Sequence, residues 1–164
     1  MSRKRAFDPV VDANTRLLIL GSLPGDASLS AGQYYGHPRN AFWRLIGGVI
    51  GRDLVALSYE DRLAALRAAG VGLWDVIASA ERPGSLDAAI RAPEAADLRG
   101  LVATMPSLRA VAFNGGKAAK LGRVVLADRP EGVDLIDLPS SSPAHSRPYA
   151  DKAAAWAALA RPLA

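Results

Sequence analysis

The run Tyr34-Tyr35-Gly36-His37-Pro38-Arg39-Asn40 is where side chains of chemical use stand closest together in this sequence. Asn40 carries a neutral amide. It is no strong base at physiological pH, but its carbonyl can orient a water molecule when the electron-poor centre under attack supplies most of the activation. Asn40 also directly precedes the apolar Ala41-Phe42-Trp43, so it equally suits a helix N-cap, and the two roles are compatible if the carbonyl faces a pocket. His37 suits a ligand contact or a backbone-bonded loop position, and Arg39 a surface or phosphate contact. Tyr34 and Tyr35 offer aromatic faces. Further along, Ser140, Ser141 and Ser142 offer hydroxyls and backbone N–H groups of the kind that make neutral phosphate contacts. His145 follows them, facing either a phosphate or solvent. Asn114, in Asn114-Gly115-Gly116, suits a turn with left-handed geometry.

Several chemistries are excluded. The chain has no cysteine, which removes disulfides, thiol nucleophiles and iron–sulfur clusters together. Two histidines make a zinc site improbable, and no metal or other cofactor is expected. Neither histidine has the setting of a triad base and no GxSxG elbow occurs, which argues against a serine nucleophile. The turn Gly21-Ser22-Leu23-Pro24-Gly25 lets backbone approach a ligand closely, but neither a GxGxxG nor a GK[ST] phosphate fingerprint follows. No apolar run approaches the roughly 20 residues of a membrane span, and the start MSRKRAFDPV lacks the apolar segment of a signal peptide. A cytoplasmic, nucleoid-associated location follows as an expectation. With 20 Lys and Arg against 16 Asp and Glu, the formal charge of +4 permits a polyanionic partner.

These residues must be positioned by the elements around them. The 164 residues, half of them apolar, suffice for one domain over 1–164 and are too few for two. Arg16 to Leu20 reads as a buried parallel strand, and similar runs occur at Val71 to Ile77, Leu108 to Phe113 and Val133 to Leu138. Helical patterns lie between and after them. Ser58 caps one that stops near Gly70; others cover Asn40 to Ile50, Asp97 to Met105, Gly116 to Leu126 and the C-terminal stretch from Tyr149. This alternation predicts a three-layer α/β/α fold with a central, mainly parallel four-stranded sheet. Ligands bind beyond the carboxyl ends of such strands, so the loops Gly21 to Asn40, Trp74 to Arg82, Asn114 to Lys117 and Pro139 to Pro148 are the ones that matter.

Three of those loops carry a resemblance. The segment YYGHPRNAFW, Tyr34 to Trp43, resembles the stretch after motif 1 of the mismatch-specific uracil-DNA glycosylases, and more closely that of the hypoxanthine branch of the uracil-DNA glycosylase superfamily, with its GSxPG turn and YYxHPRNxFW sequence. AVAFNGGKAAKLG, Ala110 to Gly122, is similar to the FNGK stretch of thymine-DNA glycosylases. LPSSSPAHSRPYADKAAAW, Leu138 to Trp156, occupies the place of motif 2, the loop that enters the minor groove. One departure bears on mechanism: where the mismatch-specific enzymes keep a water-positioning Asn in a GxNPG turn, this chain has Leu23.

The resemblance implies a monofunctional glycosylase that flips a deaminated base out of DNA and hydrolyses its glycosidic bond, with Asn40 taking the catalytic role that Leu23 cannot. It implies stacking on Tyr35, backbone contacts to the base from Gly21 and Ser22 with Leu23 beside them in the substrate-binding turn, pairing of the Asn114 amide with the carbonyl and ring N–H of the base, and a base or phosphate contact for His37. Arg39, Ser140, Ser141, Ser142, His145 and Arg147 are then expected to meet DNA, although family members often have Asn at the place of His145. DNA containing hypoxanthine, uracil or xanthine is the expected partner and a monomer the expected state. A uracil- or mismatch-specific glycosylase, a non-catalytic nucleic-acid-binding domain and a phosphate-binding α/β protein are the alternatives.

Overall fold

A computed structural model describes residues 3–164. At its centre lie four parallel strands: β2 (Leu17–Gly21), β3 (Val71–Asp75), β6 (Ala110–Asn114) and β7 (Asp134–Leu138), in the order β3-β2-β6-β7. Strands buried on both faces need apolar residues at every position, and LLILG and AVAFN meet that need, with all five residues of each buried. Side chains alternate between two cores. Leu17 and Ile19 point to one side, where α2 (Phe42–Ile50), α3 (Tyr59–Ala69) and α6 (Tyr149–Trp156) pack. Leu18 and Leu20 point to the other, against α4 (Leu98–Ala103) and α5 (Gly116–Val125). The layering is the expected one.

The helix limits follow from local chemistry. Ser58 accepts a hydrogen bond from the Asp61 N–H (3.2 Å), and Gly70, at φ 85°, closes α3. Asp97 caps α4 through the Gly100 N–H (3.0 Å).

Two features differ from expectation. The run Val71 to Ile77 is not one strand: it divides at Val76, and the chain leaves the parallel sheet to enter β4 (Ile77–Glu81). β4 is the middle of a second, antiparallel sheet with β1 (Arg3–Arg5) and β5 (Arg91–Ala95). The loop after β2 also contains a short helix, α1 (Asp26–Ala31).

Candidate active site

The carboxyl ends of the central strands open into a cavity of about 450 Å³, within the roughly 300–1,000 Å³ typical of small-molecule sites. Part of its lining is set by strand register, which places Gly21, the last residue of β2, beside Asp75, the last residue of β3. Gly21 has no room for a side chain. A Cβ there would stand 2.7 Å from Asp75 Oδ1 and 3.1 Å from the Tyr35 hydroxyl. The carboxyl and the phenol therefore converge on this glycine.

Tyr35 lines the cavity from a left-handed backbone conformation, φ 53°, that non-glycine residues seldom adopt. Its ring lies on that of Phe42, centroids 3.9 Å apart and planes 15° from parallel. Phe42 is fully buried and is held edge-on by Trp43 at 5.0 Å and Trp156 at 5.8 Å. The aromatic wall is thus fixed before any ligand arrives. Among the described residues the buried Tyr35 hydroxyl meets no partner at full hydrogen-bond geometry, although the Asn114 side chain is close. Burial, and then the negative charge of Asp75, push its pKa upward against a smaller opposing pull from Asn114, so it keeps its proton. Tyr34 plays a different part: its hydroxyl donates to the Asp8 carbonyl (2.8 Å) and its N–H to the Tyr59 hydroxyl (3.0 Å), making it a structural post.

Asn40 lines the same cavity while its Oδ1 accepts the Phe42 N–H at 3.0 Å. Asn40 is not the N-cap of α2, which is Ala41 with no side-chain capping bond; it stands one residue earlier, and its bond to the Phe42 N–H closes a local turn at the entry to the helix while the residue still borders the cavity. One carbonyl lone pair and the amide NH₂ group stay free of protein partners. His37 is also at the cavity, and its Nδ1 accepts the Arg39 N–H at 3.0 Å, which places the ring proton on Nε2. Arg39 and Arg147 are exposed and lie outside the cavity lining.

The opposite wall is the loop after β7, and Asn114 at the end of β6 binds it. Asn114 Nδ2 donates to the Ser141 hydroxyl (2.9 Å) and Asn114 Oδ1 accepts the Ser141 N–H (2.9 Å). These two bonds hold the loop and still leave one N–H of Nδ2 and one lone pair of Oδ1, the donor and acceptor that pairing with a base would need. Ser141, at 1% exposure, borders the cavity with its hydroxyl accepting from Asn114. Ser140 and Ser142 are partly exposed and line the cavity. The loop is held from behind as well, by the Lys152 ammonium, which is buried and donates to the carbonyls of Ser142 (3.2 Å) and His145 (2.9 Å). The His145 side chain lines the cavity, with Nδ1 buried and unpaired. Burial, then the nearby Lys152 and Arg147 charges, lower its pKa and favour the neutral imidazole.

Sequence reasoning missed Asp75, Arg82 and Asp87. The Arg82 guanidinium is fully buried; it donates to the carbonyls of Pro24 and Gly84 and stands 3.9 Å from Asp87. Asp87 in turn accepts the Ser22 hydroxyl at 2.6 Å. These bonds fasten the turn after β2, with the buried Leu23 inside it, to the segment after β4. Asp75 is 4% exposed, its Oδ2 has no partner, and burial, with a lesser push from Asp87 and an opposing pull from Arg82, raises its pKa to about 7. The sequence signal was faint: a single acidic residue closing an otherwise apolar strand, in register with the first glycine of the turn.

Residues 9–160 match the family described as the Uracil DNA glycosylase superfamily. The chain belongs to the uracil DNA glycosylase superfamily. It is accordingly a DNA glycosylase. It is 43% identical over 155 residues to a protein of Methanosarcina barkeri named hypoxanthine DNA glycosylase, covering 94% of this chain and 96% of the relative. A Methanosarcina acetivorans protein of the same name is 43% identical over 158 residues, covering 96% and 98%. A solution NMR structure from Methanosarcina acetivorans, of a candidate uracil DNA glycosylase, superposes with a TM-score of 0.87 at 42% identity over 99% of each chain. In this glycosylase the three stretches that carried the resemblance meet at one cavity, through Tyr35 and Asn40, Asn114, and Ser140 to His145. Among the described residues no three His, Asp or Glu side chains cluster as metal ligands do, and no helix is long and apolar enough to cross a membrane.

Proposed function

We propose that this glycosylase is monofunctional and excises deaminated bases from DNA, hypoxanthine with uracil and xanthine as further substrates, acting as a monomer in the cytoplasm. The observation that carries the reading is that Tyr35, backed by Phe42, and Asn40, with an unshared carbonyl lone pair, line the same cavity. The names of the two 43%-identical relatives point to hypoxanthine.

In this reading the target nucleotide swings out of the duplex, at a cost of a few kcal/mol that is least for a weakly paired, deaminated base. The base lies against Tyr35. The C1′–N bond breaks with its electron pair staying on the base, which leaves cationic character at the sugar. Asn40 Oδ1 holds a water for attack at C1′; the hydroxyl bonds to the sugar, and the released proton balances the departing base. An amide suffices here because the cation, not the residue, provides most of the driving force. Leu23 has no side-chain polar atom to share this work. Hydrolysis is favoured over a lyase reaction because, among the described residues, no lysine lines the cavity; the buried Lys152 ammonium is directed at loop carbonyls. His37 Nε2, Ser140 and Ser142 are the proposed contacts to base or backbone inside the cavity, with Arg39 and Arg147 reaching phosphates from outside it.

Duplexes bearing hypoxanthine, uracil, xanthine or a thymine mismatch, treated with alkali after incubation, test the reading. Strand cleavage is expected first at hypoxanthine, and undiminished by chelators. Cleavage confined to uracil or to thymine mismatches would replace the base assignment, and none on any duplex would end the reading.

A further inference from the structure

Asp75 is the most buried charged group lining the cavity and has no structural task that its contacts reveal. It is 4% exposed, no hydrogen bond from the described residues reaches its Oδ2, and it borders the cavity together with the Tyr35 hydroxyl. Buried polar groups are almost always paired, and a carboxyl without a partner is among the most expensive to leave so. Moreover, Gly21 leaves open the space that a Cβ would take from this carboxyl. The fold thus makes room for Asp75 and, among the described residues, leaves its buried Oδ2 without a partner.

A flipped nucleotide remains joined to DNA at the cavity mouth through its sugar, so the part that reaches the floor is the edge of the base. Resting on the Proposed function reading, we propose that Asp75 is a further catalytic residue, one that meets this edge and, carrying its proton, donates to the carbonyl oxygen of the deaminated base. Its other oxygen accepts from the neighbouring ring N–H. As the C1′–N bond breaks, the electron pair left on the base delocalises onto that carbonyl oxygen, where the Asp75 O–H stabilises it. An ionised Asp75 would face the same oxygen with a negative charge. The charged and titratable groups around it are Asp87, which favours the protonated form, Arg82, which opposes it, and the phenols of Tyr34 and Tyr35, which keep their protons. With the carboxyl titrating near 7, both forms are accessible at neutral pH.

The test is single-turnover excision, from about pH 5 to about pH 9, of whichever base the wild type releases, for wild type, Asp75→Asn and Asp75→Ala, with melting temperature and DNA affinity recorded for each. The wild-type rate is expected to fall as pH rises through about 7. Asp75→Asn, which keeps a donor beside an acceptor but cannot ionise, is expected to retain excision and lose that limb. Asp75→Ala, folded and binding DNA, is expected to lose about 10²–10³-fold in rate at every pH. Undiminished excision by Asp75→Ala overturns the proposal. So does a rate that rises with pH and is abolished in Asp75→Asn, which would make the carboxylate the working form. If the wild type releases uracil and not hypoxanthine, the base assignment falls while the Asp75 result still stands, because uracil presents the same carbonyl and N–H pair. A wild type that releases no base at all overturns both.

Discussion

Asn114 and Ser141, the one at the end of β6 and the other in the loop after β7, are joined by a pair of hydrogen bonds, Nδ2 to Oγ and backbone N to Oδ1, each 2.9 Å long. Through them the parallel sheet fixes the loop that forms one wall of the cavity. Ser141 passes the constraint on, since its carbonyl accepts the Ala41 N–H at 3.0 Å at the start of α2. The two walls are therefore linked to each other as well as to the sheet. Asn114→Ala removes both bonds at a buried site and is expected to cost about 1–3 kcal/mol of stability, read by urea denaturation, and to weaken excision through displacement of the loop.

Asn40→Ala is expected to lower the excision rate about 10²–10³-fold while DNA affinity is largely kept. It also frees the Phe42 N–H, at a stability cost of about 1 kcal/mol. Asn40→Ser separates the two effects, because a serine oxygen can still accept the Phe42 N–H but is too short to reach the same water. Single-turnover assays on both variants give the answer; recovery of excision in the serine variant would reduce Asn40 to a turn residue at the helix entry.

Lys152→Met keeps the length of the side chain and removes the ammonium that holds the Ser142 and His145 carbonyls. The loop should loosen, with the KM for duplex DNA rising more than kcat falls. Two carbonyls left without their donor add an expected destabilisation of about 1–3 kcal/mol. Steady-state kinetics on a duplex of fixed sequence separates the two parameters.

Asp75 should also leave a signature in stability. Its folded pKa near 7 lies above the ordinary 3.8, so the unfolded chain releases this proton first as pH rises. Below about pH 4 the carboxyl is neutral in both states and costs nothing of this kind. Between about pH 4 and about pH 7 the folded state loses on the order of 4 kcal/mol relative to the unfolded one. Asp75→Asn lacks this loss, so its melting temperature, measured as a difference from wild type, should grow across that window and level off above it.

The parallel sheet was legible because its strands are continuous apolar runs that end at glycine or polar loops. Ser58 and Gly70 marked a helix for equally local reasons. The second sheet left no such trace: β1 is Arg3-Lys4-Arg5, and β5 is exposed at every position and includes Pro93, so neither shows an apolar period. Tyr35 and Asn40 could be picked out because their neighbours in sequence are also their neighbours in space. Asp75 could not. It stood inside an apolar run taken to continue to Ile77, and its meaning depends on lying beside Gly21, 54 positions away in sequence, across a strand pair. The bonds between Asn114 and Ser141 were not legible either, since the two residues are far apart in sequence and meet only through the ends of β6 and β7.

The ring behind Tyr35 has a practical consequence. Phe42 touches Trp43 and Trp156 edge-on, so two of the chain's three tryptophans stand one ring behind the cavity wall. The third, Trp74, is anchored to the Phe7 carbonyl and packs with the other core. The protein thus contains its own optical gauge: emission from Trp43 and Trp156 should respond when something slides against Tyr35, with no dye attached. Stopped-flow mixing with undamaged and damaged duplexes would then time the arrival of a base separately from the cutting of its bond.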